Sequence, residues 1–103
     1  MTAQKTKFLA ASVMVCAVSM AHGQTDALHT RSLAASCSNC HGTDGKAAPG
    51  MVALAGYERA SLVKNMADFK SGARPATIMH QLAKGYSEAQ IDAIAGYFAA
   101  QKK

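Results

Sequence analysis

The residues with the clearest capacity for chemistry stand together in the segment Cys37-Ser38-Asn39-Cys40-His41. Its two thiols are three residues apart, and positions i and i+3 lie on one face of a helical turn. Both sulfurs can therefore reach the same porphyrin and form thioether bonds at its two vinyl groups. The imidazole that follows can bind the iron. The spacing thus predicts one covalently attached haem c at Cys37 and Cys40, with His41 as the proximal iron ligand.

Other uses of two neighbouring cysteines have less support in the sequence. A zinc site needs a second pair of ligands, and His29 and His80 are scattered without ligand spacing. A thiol oxidoreductase of the thioredoxin kind needs a βαβ context, and the sequence shows no alternating strand pattern. A plain disulfide, or two buried thiols at a helix start, is the remaining alternative. The motif together with its context favours haem attachment.

The start of the chain is typical of an export leader. Lys5 and Lys7 give it a positive beginning, and residues 8–20 form an uncharged apolar run that is too short to span a membrane. Small residues near its end offer cleavage positions around residues 21–23. We therefore expect a signal peptide over residues 1–23 and export to the periplasm, with an uncleaved membrane anchor as the alternative.

The remaining residues, 24–103, have the size of one small domain. They contain nine Lys and Arg residues and six Asp and Glu residues, a formal net charge of +3. No stripe of basic residues alternates with aromatic ones, so we expect no nucleic-acid binding, and we expect no stable membrane insertion once the leader is removed. A modest basic rim could steer docking to an acidic redox partner. A chain this short builds only a small apolar core, and a buried macrocycle would supply the missing apolar surface.

Apolar residues recur at helical spacing in four segments, which predicts an all-α fold of about four helices. We expect the first helix over residues 25–36, capped by Thr25 or Asp26 and carrying both thiols on its last turn. The second is expected over residues 58–71, with a C-terminal stop at Gly72 and an apolar stripe formed by Leu62, Val63, Met66 and Phe69. The third should open at Arg74-Pro75 and end near Lys84-Gly85. The last should begin at Ser87, which forms a capping-box pattern with Gln90, and its buried stripe should be Ile91, Ile94, Ala95 and Phe98.

The loop over residues 41–54 is rich in turn residues and could wrap the proximal side of the haem. A backbone carbonyl in this loop could accept a hydrogen bond from the ring N–H of His41 that does not face the iron. The sequence leaves two positions open for that carbonyl, Pro49 and a residue near Val52.

An electron carrier of this kind needs a second axial ligand, and the candidates after His41 are Met51, Met66, Met79 and His80. Met51 is too close along the chain to cross to the opposite haem face, and Met66 belongs to a packed helical stripe. Met79 lies on the short third helix, far enough along the chain to reach around. Because thioether sulfur is the common choice for electron transfer, we expect Met79 as the distal ligand, with His80 as its main competitor.

Four segments resemble the small class I cytochromes c: Cys37 to His41, Ala53-Leu54-Ala55-Gly56, Asp68-Phe69-Lys70-Ser71-Gly72, and Met79 through Lys84-Gly85-Tyr86-Ser87. Within that class the chain is similar to the cytochrome subunit of flavocytochrome c sulfide dehydrogenase and to single-haem halves of related diheme carriers. The resemblance implies the class I cytochrome c fold around one haem. It also implies that Cys37 and Cys40 hold the haem, that His41 is the proximal ligand and that Met79 is the distal one.

These observations predict a periplasmic monohaem carrier of single electrons that is not itself an enzyme. Its expected partners are redox proteins: a flavoprotein dehydrogenase that oxidises sulfide, a terminal oxidase, or another cytochrome of a respiratory chain. One rival is a haem protein with an open iron site, a gas or peroxide sensor or enzyme, in which Met79 is not a ligand. A second is a thiol oxidoreductase that uses Cys37 and Cys40.

Overall fold

The computed structural model describes residues 19–103, and the side chains from residue 26 onward. Most of the expected leader, residues 1–18, lies outside the described residues. The described chain is helical and contains no strand, which confirms the all-α class. Its elements are α1 (Ser19–Ala35), α2 (Ser38–His41), a 3₁₀ turn (Thr43–Gly45), α3 (Arg59–Ser71), α4 (Met79–Lys84) and α5 (Glu88–Ala99).

Helix α1 begins earlier than the sequence suggested. It starts at Ser19, so the prediction that Thr25 or Asp26 caps it is wrong. The residues ahead of Thr25 include Met, Ala and Gln, which are good helix formers, and they carry the helix through this position. Thr25 and Asp26 are therefore interior positions of a longer helix.

Helix α3 has the bounds that the sequence predicted, and two of the four residues of its predicted apolar stripe are buried. Glu58 caps its N-terminus, since its carboxylate accepts hydrogen bonds from the backbone N–H groups of Ala60 (2.9 Å) and Ser61 (2.6 Å). Gly72 ends it in the left-handed conformation at φ 83°, a common helix stop. Leu62 and Met66 are its buried residues.

Helix α4 begins at Met79, so the expected start at Arg74-Pro75 is wrong. The side chain of Arg74 donates to Asn65 Oδ1 at 2.7 Å, and its backbone N–H donates to the carbonyl of Asp68 at 3.1 Å. These bonds hold the chain against α3 in an irregular conformation.

The core forms where α5 packs on α1 and α3, and where α4 packs on α3. The stripe predicted on α5 is confirmed, because the buried residues of that helix are Ile91, Ile94, Ala95 and Phe98. Ala34 of α1 and Ala83 of α4 are also fully enclosed. Small residues at these contacts let the neighbouring helices approach closely.

An ion pair on the surface also joins α3 to α5. Arg59 donates to the carboxylate of Asp92 from Nε (3.0 Å) and from Nη2 (2.5 Å). The hydrogen bond from Arg59 lowers the pKa of Asp92. Both side chains are about half exposed, so solvent screens the pair and it contributes little to stability.

The capping box at the start of α5 is confirmed, and it gives a first prediction. Ser87 Oγ accepts from the N–H of Gln90 at 3.2 Å, and Gln90 Oε1 accepts from the N–H of Ser87 at 2.9 Å. We expect Ser87→Ala to lower the free energy of unfolding by about 1 kcal/mol, because one N–H group at the helix start loses its acceptor. Denaturant unfolding measures the change. Ser87→Asp keeps a capping oxygen and should stay close to wild type, and equal losses in the two variants would contradict the prediction.

Candidate functional site

The segment from Cys37 to His41 forms a single helical turn after the end of α1. Cys37 is the N-cap of α2 with helical dihedral angles (φ −70°, ψ −26°), and the N–H of His41 donates to its carbonyl at 2.9 Å. The expectation that both sulfurs lie on the last turn of α1 is wrong. The chain turns at Ser36, whose hydroxyl donates to the carbonyl of Leu33 at 2.9 Å, and this turn ends α1. The two thiols nevertheless keep the i, i+3 relation.

A cavity of about 410 Å³ opens beside this turn. Its lining brings together all four residues on which the sequence placed the site: Cys37, Cys40, His41 and Met79. The volume is within the usual range for small-molecule and cofactor sites. The other lining residues are mostly apolar, and they come from α3, α4, α5, the loop after the 3₁₀ turn, the segments on either side of α4 and the turn that follows α1.

The exposed apolar residues of the described chain cluster at the same cavity. Its exposed large hydrophobic residues are Leu28, Met51, Val52, Ile78 and Leu82, and all except Leu28 line the cavity. An exposed apolar patch of this kind marks a binding surface. A flat apolar group held by the two thiols would cover these side chains, so the residues present fit a haem.

The ring of His41 has a defined hydrogen bond. Its Nδ1 lies 2.6 Å from the carbonyl oxygen of Val52. A carbonyl oxygen can only accept, so Nδ1 carries the proton and Nε2 keeps a free lone pair for a metal. Of the two positions that the sequence left open for this carbonyl, the structure selects Val52.

The cavity contains three thioether sulfurs and no second imidazole from the described chain. Met79 is half-buried at the first turn of α4, Met66 is buried on α3 and Met51 is exposed in the loop, and all three line the cavity. His80 is not among the lining residues, and its Nδ1 is buried without a hydrogen-bond partner among the described residues. The arrangement therefore favours Met79 over its neighbour His80 as a group that can reach a ligand in the cavity.

A polar network at the cavity was missed by the sequence reasoning. Asn65 donates to the phenol oxygen of Tyr57 at 2.9 Å, and Arg74 donates to the amide oxygen of Asn65 at 2.7 Å. The guanidinium of Arg74 also lies 5.2 Å from the ring centre of Phe69. An arginine and a phenol beside an apolar cavity provide hydrogen-bond donors for acidic groups of a ligand. The signal in the sequence, Arg74 before Pro75, resembled a helix start.

Tyr86 connects the thiol-bearing turn to α3. Its phenol oxygen lies 2.5 Å from Ser36 Oγ, next to Cys37, and its backbone carbonyl accepts from Lys70 Nζ at 2.5 Å. Because Tyr86 also lines the cavity, these bonds fix one wall of it.

The loop that follows His41 is attached to α5 by a side-chain hydrogen bond. Tyr97 donates its phenol proton to Asp44 Oδ1 at 2.6 Å. This bond raises the pKa of Tyr97; burial and the charge of Asp44 act in the same direction, and the charge of Arg31 opposes them.

The raised pKa of Tyr97 predicts a pH dependence of stability. The folded protein holds the phenol proton more tightly than the unfolded chain does, so the contribution is complete below the ordinary tyrosine pKa of about 10 and is lost as pH rises through the raised value. We expect the free energy of unfolding to fall more steeply above about pH 10 in wild type than in Tyr97→Phe. Denaturant titrations across this range measure both, and parallel curves would contradict the prediction.

The environment of Cys37 weakens one alternative for the cysteines, the thiol oxidoreductase. Burial raises the pKa of the Cys37 thiol, and a protonated thiol is a poor nucleophile for disulfide exchange.

In the part of the chain that the structure describes, no three His, Cys, Asp or Glu side chains gather in a way that could hold a metal ion. Among the same residues, no helix combines the length and the apolar character needed to cross a membrane.

No protein-family model matches the chain, but several individual proteins do. The cytochrome subunit of sulfide dehydrogenase from Chlorobaculum tepidum is 39% identical over 66 residues, which is 64% of this chain and 60% of that protein. Cytochrome c4 from Pseudomonas aeruginosa is 40% identical over 84 residues, 81% of this chain and 42% of that protein. The thiosulfate dehydrogenase electron acceptor from Stutzerimonas stutzeri is 42% identical over 64 residues, 60% of this chain and 30% of that protein.

A solved structure, that of cytochrome c4 from Acidithiobacillus ferrooxidans, superposes with a TM-score of 0.60 and 34% sequence identity. The superposed region covers 62% of this chain and 38% of the cytochrome c4 chain. The chain therefore spans between about a third and three fifths of the length of these relatives. The superposed part of this chain therefore has the same fold as its relative. Three of the four matched proteins are named as cytochromes.

Proposed function

This chain belongs to the class I c-type cytochromes, and from that membership we propose that it is a periplasmic monohaem carrier of single electrons. The observation that carries the proposal is the arrangement of the cavity. Two thiols, an imidazole with a free Nε2 and a thioether sulfur line one apolar space. This is the donor set that a covalently held, six-coordinate haem requires.

Each of these residues has one role in the proposal. Cys37 and Cys40 hold the haem through thioether bonds, and His41 binds the iron through Nε2. The Val52 carbonyl fixes the tautomer and the ring orientation of His41. Met79 supplies the distal sulfur, and bound haem c supplies an iron that alternates between the ferric and ferrous states.

Electron transfer without substrate chemistry follows from this ligand set. If His41 and Met79 both held the iron, no position would remain on it for a small substrate, and the protein would act as a carrier and not as an enzyme. The apolar lining keeps water away from the iron, and the Tyr57–Asn65–Arg74 network gives the acidic haem groups a polar neighbour. The rival with an open iron site requires that Met79 is not a ligand.

The proposal includes export and a partner. We assign residues 1–23 to a cleaved signal peptide and residues 24–103 to the cytochrome domain. One relative is named as the cytochrome subunit of a sulfide dehydrogenase, and another as the electron acceptor of a thiosulfate dehydrogenase. These names support a sulfur-oxidising dehydrogenase, such as a flavoprotein, as the electron donor. A terminal oxidase or another cytochrome would be the acceptor.

Purified periplasmic protein tests the function through its optical spectrum and its intact mass. We expect a ferrous α-band and the mass of the processed chain plus one haem. The matched control is the double variant Cys37→Ser, Cys40→Ser, which should lack both signals. A colourless, folded wild-type protein with two free thiols would contradict the proposal and favour the thiol oxidoreductase.

The partner is tested separately by rapid mixing. A reduced sulfide-oxidising flavoprotein should reduce the ferric protein at a rate that falls with ionic strength, because basic residues on the surface would steer the encounter. A flavoprotein that does not oxidise sulfide is the control. Equal rates with the two flavoproteins would contradict the assigned donor and leave the carrier function standing.

A further inference from the structure

The last turn of α5 holds the loop over residues 42–56 near both of its ends. Near the start of the loop, the phenol of Tyr97 donates to Asp44 at 2.6 Å. At its end, the N–H of Gly56 donates to the carbonyl of Phe98 at 2.8 Å. Two consecutive residues of one helix therefore fix the two ends of the loop.

Backbone hydrogen bonds also join the beginning of the loop to its end. The carbonyl of Gly45 accepts hydrogen bonds from the N–H groups of Leu54 (2.8 Å) and Ala55 (3.1 Å). Gly45 comes directly after Asp44, and Leu54 is two residues beyond Val52. A displacement of Asp44 would therefore move Gly45, and with it the backbone around Val52.

The backbone of Asp44 has an uncommon conformation at the point of attachment. It is the one non-glycine residue with a positive φ among the described residues, at 53°. Residues in this conformation persist where surrounding contacts hold them, and such positions concentrate at functional sites. The contact that holds the Asp44 side chain is the hydrogen bond from Tyr97.

We propose that Tyr97 is a positioning residue for the iron ligand His41. Its bond to Asp44 sets the loop so that the Val52 carbonyl lies in hydrogen-bonding distance of Nδ1 of His41. That bond fixes the ring and raises its basicity as a ligand, and both properties tune a metal site. The inference rests on the proposed function, since it concerns His41 as an iron ligand.

The exchange rate of the His41 Nδ1–H proton in the ferrous holoprotein is the direct test, measured by NMR with ¹⁵N-labelled histidine. Tyr97→Phe keeps the ring and its edge contact with Phe98, centroids 5.2 Å apart, and removes only the phenol hydroxyl. We expect exchange to become about 2- to 10-fold faster, the ratio that corresponds to the loss of one hydrogen bond. The reduction potential, measured on the same sample, should shift as well.

A second variant and a control separate positioning from general loosening. Asp44→Gly removes the acceptor and suits a positive φ, so it should fold and reproduce the faster exchange. Asp92→Asn removes the ion pair between α5 and α3 and leaves the loop untouched, so it should match wild type.

The possible outcomes are distinct. Unchanged exchange and potential in Tyr97→Phe and Asp44→Gly, with a normal α-band, would overturn this inference alone. An equal change in Asp92→Asn would also overturn it, because the effect would then come from loss of stability. A wild-type protein without an α-band would overturn the inference together with the proposed function.

Discussion

Replacing Gly45 with alanine should destabilise the protein by about 2–5 kcal/mol, the sum of the cost of a positive φ in an L-residue and the cost of overpacking. Gly45 is buried at φ 78°. A Cβ atom there would lie 2.6 Å from the backbone nitrogen of Ala55 and 2.9 Å from both Leu54 Cβ and Phe98 Cδ1. These neighbours are backbone and core atoms, so they cannot move aside cheaply. Denaturant unfolding of the holoprotein measures the loss.

Gly50→Ala is the matched control for this prediction. Gly50 has a similar positive φ of 91°, but a Cβ atom there would meet nothing within 4 Å. Only the backbone cost of about 1–2 kcal/mol should remain. If the two variants lost equal stability, the close contacts around Gly45 would not be the cause. A loosened loop in Gly45→Ala should also disturb His41, because Gly45 sets the stretch that carries Val52.

Met79→Leu should remove the near-infrared charge-transfer band of an iron–sulfur bond and lower the reduction potential substantially. Axial ligands set haem potentials across roughly 0.8 V, and methionine together with histidine lies toward the high end. Leucine preserves the apolar volume, so folding should cost less than about 1.5 kcal/mol. The optical spectrum of the ferric protein and a redox titration measure the two effects.

The other two cavity methionines are the controls for Met79. Met66→Leu and Met51→Leu alter sulfurs that line the same cavity, and both should keep the band and the potential close to wild type. Loss of the band in Met66→Leu with its retention in Met79→Leu would reassign the distal ligand. A wild-type protein without the band would favour the open-site rival.

Local signals in the sequence were sufficient to predict much of the helical framework. The capping box of Ser87 and Gln90 and the helix stop at Gly72 depend on a few adjacent residues, and both are present. The buried stripe of α5 follows from spacing alone, since one face of a regular helix must enter the core. The i, i+3 relation of Cys37 and Cys40 was likewise predictable because the two residues belong to one short motif, although the turn that carries them is separate from α1.

Features that depend on contacts between distant parts of the chain could not be predicted from local sequence signals. The start of α4 depends on the bonds of Arg74 to Asn65 and Asp68, which lie on another helix. The choice of Val52 as the partner of His41 depends on how the loop folds back onto Gly45. The bond between Tyr97 and Asp44 joins residues far apart in the chain, and no spacing rule connects them.

The packing of α1 against α5 has a consequence for the order of events during the proposed export. A chain that crosses a membrane N-terminus first would present both thiols to the periplasm before α5 arrives there. The interior cannot close until Phe98 arrives, because this side chain is among the largest fully buried ones. An enzyme that joins a porphyrin to Cys37 and Cys40 would therefore act on thiols that are still accessible. The later packing of α5 would then complete the core around the attached haem.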